Sequence, residues 1–103
     1  MAFSKAIRSL TALTTTTPTG ASVNPGFAIN SVTVVYTDTA TGNTIAIQAL
    51  LTDGSTWATI QTITTAASGT AALSGQFLDI RAVVTAHTTT STIVVDLFAG
   101  ILS

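Results

Sequence analysis

The sequence predicts an all-β protein: a small antiparallel β-sandwich or jelly-roll-like domain with an N-terminal arm or short helix. Three observations carry this prediction. Residues that favour strands recur in short runs, turn-forming residues separate the runs, and the chain has no cysteine with which to staple loops together. Threonine, a strand former, supplies 23 of the 103 residues. We therefore expect one domain whose core is filled from period-two strands.

The first element, residues 1–13, is open between two interpretations. Phe3, Ile7 and Leu10 follow one another at i, i+4 and i+7, which is typical of the apolar stripe of a helix. The segment is too short to be a stable helix alone, and it is rich in Ser and Thr. An extended arm fits it equally well.

The next segment, residues 14–26, has the composition of a linker. It holds both prolines of the chain and two of its seven glycines. We therefore expect residues 1–26 to be an N-terminal arm and linker, and residues 27–103 to be the β-sandwich domain.

Six strands are predicted after the linker. Each is a run of Val, Ile, Thr, Tyr or Phe bounded by turn residues such as DTATGN, DGS and AASG. The predicted strands are 28–37, 43–52, 56–65, 70–74, 77–87 and 92–101.

The last two predicted strands suggest a hairpin. Even positions of the first and odd positions of the second are apolar, so one antiparallel register places all of these side chains on one face. That register opposes Ala86 with Ile93 and Leu78 with Ile101. It also places Arg81 diagonal to Asp96 on the other face, where they would form a modest surface ion pair.

A second hairpin is predicted around Asp53 and Gly54, because Asp-Gly favours a tight turn with a residue at positive φ. Its second strand does not alternate regularly. Trp57, Ile60 and Ile63 break the period of two, which indicates a β-bulge or a strand buried on both sides.

Composition disfavours catalysis and several kinds of partner. Only seven residues carry a formal charge, the net charge is −1, and there is one histidine. These counts argue against metal or acid–base chemistry and against a nucleic-acid footprint. The longest apolar stretch, residues 93–102, is interrupted by Asp96 and is about half of a membrane span. We therefore expect no enzyme, no cofactor, no metal and no membrane contact, in a protein that is made and kept without export.

Three residues remain as candidates for chemistry. His87 is the sole candidate base, but no nucleophile motif accompanies it, so a plain loop or loop-edge histidine is expected. Asp38 could begin a calcium loop, yet the twelfth position is Ala49 where an EF-hand needs Glu, which favours a hairpin turn. Trp57 could stack on a sugar, although a packing role is favoured for the single Trp of the chain.

The scarcity of charged residues for protecting strand edges predicts that copies of this protein associate with one another or with other chains. No lysine lies beyond position 5, and strand edges without charge or proline pair readily with other chains. We expect an obligate oligomer or a subunit of a larger lattice. The candidate interface combines apolar residues of the arm with second-face apolar residues of the last strands: Phe3, Ile7, Leu10, Val83, Val94 and Phe98.

Two stretches carry a resemblance to a known class: LTDGSTWATIQTIT and SGQFLDIRAVVTAHTTTSTIVVDLFAG. Together they resemble small β-sandwich virion proteins encoded among the head genes of tailed bacteriophages, over roughly residues 28–101. The shared motifs are D-G-S-x-W and F-x-x-I-R-x-x-V-T, each next to apolar strands.

The resemblance implies a structural protein of the virion without catalysis. Its most specific form is a capsid decoration or cement protein, with a trimer favoured, which is made in the host cytoplasm and located on the capsid surface. There it would bridge neighbouring subunits of the major capsid protein while its arm orders on contact. The alternatives are a tail or head-to-tail connector subunit and a carbohydrate-binding β-sandwich module.

Overall fold

The computed structural model describes residues 3–24, 29–88 and 90–101, and for residues 3 and 4 only the backbone. Within these ranges no helix is long and apolar enough to cross a membrane. The described residues form seven strands: β1 (Phe3–Leu13), β2 (Ile29–Asp38), β3 (Thr44–Leu50), β4 (Trp57–Thr64), β5 (Ser68–Phe77), β6 (Ile80–Ala86) and β7 (Thr92–Ile101).

The strands form two antiparallel sheets that pack face to face. Sheet A has four strands in the order β1-β7-β2-β5, and sheet B has three in the order β4-β3-β6. The molecule is a slab of 40 × 28 × 17 Å. The predicted all-β sandwich is therefore confirmed, and all six predicted strands are present.

The core lies between the sheets and follows from alternation along the strands. In β7, for example, Ile93, Val95, Leu97 and Ala99 are buried while Thr92, Val94, Asp96 and Phe98 are half-buried or exposed. Successive side chains of a strand point to opposite faces, so each strand lends one face to the core. The largest fully buried side chains are Val23, Ile29, Val32, Val34, Ile45, Ile47, Ile80, Val84, Ile93, Val95 and Leu97.

The helical interpretation of residues 1–13 is wrong, because the described part of this segment, Phe3–Leu13, is strand β1. It pairs with β7 from Phe3 opposite Ile101 to Leu13 opposite Thr92. A bulge between Arg8 and Leu10 shifts the register by one residue. The bulge brings Ile7 and Leu10, which are three residues apart, to the same face, and this reproduces part of the spacing of a helical stripe.

Residues 14–24 are part of the sandwich too, so the predicted separation of an arm from the domain does not describe the fold. Gly20 N donates to Ala82 O at 2.8 Å, Ala21 N donates to Ser9 O at 2.6 Å, and Val23 is fully buried. The segment thereby ties sheet A to sheet B along one side. The predicted boundary at residues 26 and 27 lies outside the described residues.

The predicted hairpin of the last two strands is wrong in its pairing. Strand β6 pairs with β3 in sheet B, whereas β7 lies between β1 and β2 in sheet A. Their apolar faces both meet the core, but from opposite sheets, and Leu78 is 44% exposed. Alternation identifies the buried face of a strand, and it carries no information about whether the facing strand is a hydrogen-bonded neighbour or lies across the core.

The hairpin around Asp53 and Gly54 is confirmed. Strands β3 and β4 pair from Thr44 opposite Thr64 to Leu50 opposite Trp57, and Gly54 has a φ of 77°. The predicted irregularity is a bulge, which appears as a register shift between Ile47 and Gln48.

Candidate functional site

The six residues predicted as an interface do not form one surface. Leu10 is a core residue, 6% exposed, and Ile7 packs against the core from the inner face of β1. Phe3 pairs through its backbone with Ile101, and its side chain lies outside the described part of the chain. All three residues were expected on a separate arm, whereas Ile7 and Leu10 face the core from β1.

The remaining three lie on two different sheets. Val94 and Phe98 share the outer face of sheet A, whereas Val83 is on β6 of sheet B, half-buried and bridged to the backbone of Thr19. Of the five candidates whose side chains the structure describes, it therefore brings together only Val94 and Phe98.

The outer face of sheet A around these two residues is broad and nearly neutral. Phe98 is 43% exposed, and it lies opposite Ala6 of β1 and Thr33 of β2. Among the described residues, this face carries one ion pair, in which Arg8 Nε donates to Asp96 Oδ1 at 2.8 Å. This hydrogen bond raises the pKa of the Arg8 guanidinium above its ordinary value.

This ion pair joins the neighbouring strands β1 and β7, and it takes the place of the predicted pair of Arg81 with Asp96, which is wrong.

A shallow depression of about 420 Å³ adjoins Arg8, Asp96 and Phe98. The face therefore offers a partner apolar area with one compensated pair of charges, a composition suited to protein contact.

Arg81 lies instead over Trp57 on the outer face of sheet B. Its guanidinium carbon is 4.1 Å from the centroid of the ring, and its Nε donates to Gln48 Oε1 at 2.9 Å. A guanidinium in this position is held by the ring quadrupole and covers one face of the indole. That face is therefore occupied by the protein itself, which disfavours the sugar-stacking interpretation of Trp57.

A cluster of buried polar side chains lies at the end of the sandwich where three chain crossings between the sheets meet. Asp38 and Asn43 flank the crossing from β2 to β3, Thr65 begins the one from β4 to β5, and His87 and Ser91 flank the one from β6 to β7. All five residues are at most 6% exposed. Such a buried cluster requires that its polar groups find partners within the protein.

Asp38 is the centre of this cluster. Its Oδ2 accepts from Thr65 Oγ1 at 2.6 Å and from Asn43 Nδ2 at 2.8 Å, and its Oδ1 accepts from Ala40 N at 3.0 Å. Burial alone would raise the pKa of Asp38, but the hydrogen bonds outweigh burial and hold the pKa below its ordinary value.

The carboxylate of Asp38 is therefore engaged by donors of the protein itself, which disfavours a calcium loop. Within the described ranges, no three His, Cys, Asp or Glu side chains group as metal ligands. The connection that follows Asp38 is a crossing between sheets and not the expected hairpin turn.

His87 completes the cluster. It stands at the loop edge directly after β6, as expected, and its side chain is buried. Its Nε2 is 2.9 Å from Ser91 Oγ, and its Nδ1 is 2.9 Å from the carbonyl oxygen of Thr16. A carbonyl only accepts, so Nδ1 carries a proton. In a Ser-His-Asp triad the carboxylate holds this nitrogen. Here a backbone carbonyl takes that place and Ser91 is 6% exposed, so the arrangement suits a structural role.

Sequence reasoning missed Asn43, Thr65 and Ser91. Each stands directly before or after a strand, where short polar residues are expected in exposed turns. Nothing in their spacing tells that three crossings converge and bury them together.

Sequence reasoning also missed an apolar cleft of about 400 Å³ at the opposite end of β3, because the cleft forms only where separate strands meet. It is lined by Ala49, Leu50, Leu51, Thr52, Ala58, Ile60, Gln76, Phe77 and Leu78.

No protein-family model and no curated protein matches the chain. Among solved structures, the fold is similar to that in the crystal structure of SPBc2 prophage-derived protein YomS. The TM-score is 0.69 at 12% sequence identity, and the similarity covers 98% of this chain and 96% of the other. The two chains therefore share one fold over nearly their whole lengths.

Proposed function

We propose that the protein is a non-enzymatic structural protein of a phage virion, and specifically a decoration protein that binds the outer surface of the capsid. Its partner would be the major capsid protein. By binding only the assembled shell, it would stabilise contacts between capsid subunits through linkage, since a ligand stabilises the state that it binds.

The observation that carries this proposal is the outer face of sheet A. It presents Val94 and a 43% exposed Phe98 around one compensated ion pair, on a sheet of four strands. Flat, weakly charged faces with an exposed aromatic residue are typical of surfaces that bind other proteins. The fold shared with a prophage-derived protein supports a phage origin. The virion resemblance of the sequence points the same way.

Two features of the structure refine the proposal. Residues 3–13 form β1, so we assign the capsid contact to the outer face of sheet A and not to a separable arm. The absence of catalysis is supported by the cluster around His87, whose nitrogens are engaged by Thr16 and Ser91 in the protein interior.

Binding to purified particles tests the proposal. We expect the wild-type protein to co-sediment with heads at a copy number that scales with the capsid lattice. Phe98→Ser should abolish this binding while the circular dichroism and unfolding midpoint stay near wild type. Leu51→Ser is the matched control, because Leu51 is 44% exposed against 43% for Phe98 and belongs to the β3–β4 connection. Recovery of a single ring of copies with tails would favour the connector alternative, and retained head binding by the Phe98 variant would exclude this face.

A further inference from the structure

Three of the four sheet edges carry a device that discourages pairing with another chain. The edge of β6 is covered, because Gly20 N donates to Ala82 O and Val84 N donates to Pro18 O at 3.0 Å. The edge strand β1 carries Lys5 and a bulge next to Arg8. The edge strand β4 contains the bulge opposite Ile47 and Gln48. Covering segments, lysines and bulges are the usual protections of an exposed edge.

Strand β5 has none of these protections along residues 68–74. This span pairs with β2 from Thr37 opposite Ser68 to Ser31 opposite Ser74 without a register shift. The next shift falls between Ile29 and Ser31, beyond the span. The span contains no proline and no charged residue, and within the described residues no strand or isolated bridge pairs with its outer edge.

We infer that β5 is the self-association surface of this protein, and that two copies pair antiparallel along residues 68–74 about a two-fold axis at Ala71. An antiparallel pair of identical strands satisfies the free N–H and C=O groups of both copies at once. The pairing would join the two copies of sheet A into a continuous eight-stranded sheet. It gives a dimer in place of the trimer that the sequence favours.

The absence of charged residues at the β5 edge favours a second copy of this chain as the strand that pairs with it. Residues 54–78 contain no Asp, Glu, Lys, Arg or His, so two copies of this edge approach without repulsion. The edge also offers nothing that would select a charged partner strand.

The side chains fit the same register. Pairing about Ala71 opposes Ser68 with Ser74, Thr70 with Ala72 and Gly69 with Leu73, and in each case both residues belong to the same face of the sheet. These are mostly small side chains, so the strands can approach to the normal separation. Leu73 and Ala71 are half-buried against the core, and the added strand would cover them further.

The inference does not depend on the virion role. A two-fold axis perpendicular to the sheet leaves both outer faces of sheet A on the same side of the dimer. The face that we propose as the capsid contact would then be doubled and not obstructed.

A single cysteine tests the register, because the chain has none of its own. In the proposed pair, residue 71 faces its own copy at a Cα separation of about 4.5 to 5.5 Å, which a disulfide can bridge. The two copies of residue 72 are diagonal, about 7 to 8 Å apart, which is too far for an unstrained disulfide. Under mild oxidation we expect Ala71→Cys to form the covalent dimer at least ten times faster than Ala72→Cys. Equal rates would overturn the inference, even though Ala72 is the more exposed residue.

Charge rescue tests the contact independently. The wild-type protein should sediment at twice the 10.4 kDa mass of the chain. The double variant Thr70→Lys/Ala72→Lys places lysines of the two copies opposite each other, so repulsion should give a folded monomer. The double variant Thr70→Asp/Ala72→Asp should give a folded monomer for the same reason. Mixing the two variants should restore a heterodimer.

The matched control is the pair Thr59→Lys with Thr62→Lys on the exposed outer face of β4, which should stay dimeric. A wild-type monomer, a trimer that tolerates charges in β5, or the failure of two folded variants to combine would each refute the pairing.

Discussion

Asn43 Nδ2 donates a hydrogen bond of 2.8 Å to Asp38 Oδ2, and this bond joins the end of β2 in one sheet to the start of β3 in the other. Asn43 is fully buried, and its Oδ1 accepts from Thr88 N at 3.0 Å. One side chain thereby fixes two of the three crossings that meet at this end of the sandwich. Hydrophobic contact alone does not specify how crossings are arranged, and directional hydrogen bonds between buried groups do.

Replacing Asn43 should therefore cost much of the stability of the domain. Asn43→Ala leaves the buried carboxylate of Asp38 without one of its donors and Thr88 N without its acceptor. We expect the free energy of unfolding in urea to fall by about 2 to 3 kcal/mol. Thr90→Ala, at an exposed position in the crossing from β6 to β7, should change it by less than about 0.5 kcal/mol. Equal effects of the two substitutions would contradict a stabilising role for the cluster.

The pH dependence of stability should report the same cluster. The pKa of Asp38 lies below the 3.8 of an unfolded chain, because donors from Thr65, Ala40 and Asn43 outweigh the effect of burial. The ionised group therefore contributes stability that is complete above pH 3.8 and is lost as the pH falls through the folded pKa.

Measuring the free energy of unfolding between neutral and acid pH tests this expectation. We expect the unfolding free energy of the wild type to decline below about pH 4. Asp38→Asn should be less stable at pH 7 and should show a flatter decline. Asp53→Asn is the control, because Thr56 lowers the pKa of Asp53 as well but at an exposed site where solvent weakens the effect. An unchanged acid limb in the Asp38 variant would show that this carboxylate does not govern it.

The strands were predictable from the sequence, and their partners were not. The Asp53-Gly54 turn specifies a hairpin locally, so the pairing of β3 with β4 follows from a few residues. The crossings from β2 to β3 and from β6 to β7 have the same length and polarity as hairpin loops. What separates the two cases is the buried cluster of Asp38, Asn43 and His87, which forms only once distant segments meet. Sequence spacing therefore found the faces of the strands and missed the sheets to which they belong.

Leu10 provides a direct contrast between the predicted interface and the observed core. It is 6% exposed on β1, next to the bulge. Leu10→Ala should lower the free energy of unfolding by roughly 2 to 5 kcal/mol, as expected for a buried leucine. The exposed neighbour Thr11 is the control, and Thr11→Ala should change it by less than about 0.5 kcal/mol. A Leu10 variant as stable as wild type would mean that β1 is not part of the folded core.

Gly20 is required by the close approach of residues 18–23 to both sheets. A Cβ at this position would lie 2.5 Å from Ser9 O and 2.8 Å from Ala82 O, which are backbone atoms of β1 and β6. Gly20→Ala should therefore separate the segment from the sheets and destabilise the protein by about 1 to 3 kcal/mol. Gly42→Ala has open space around it but a φ of 85°, so its cost of about 1 kcal/mol is conformational. Thermal unfolding of both variants should place Gly20→Ala below Gly42→Ala, and the reverse order would refute the close packing of this segment.

The stacking of Arg81 on Trp57 can be observed directly, since Trp57 is the single tryptophan of the chain. Arg81→Ala removes the group that covers one face of the indole and also ends the hydrogen bond to Gln48. We expect a red shift of the tryptophan emission and faster quenching by acrylamide. The loss of stability should be only about 0.5 to 1 kcal/mol, because cation–π contacts near the surface are weak. Arg8→Ala is the control, because Arg8 pairs with Asp96 on the other sheet and should leave the emission unchanged. Identical spectra for the Arg81 variant and the wild type would show that the guanidinium does not cover the ring in solution. A glycan array with that variant would then test sugar stacking on Trp57 directly.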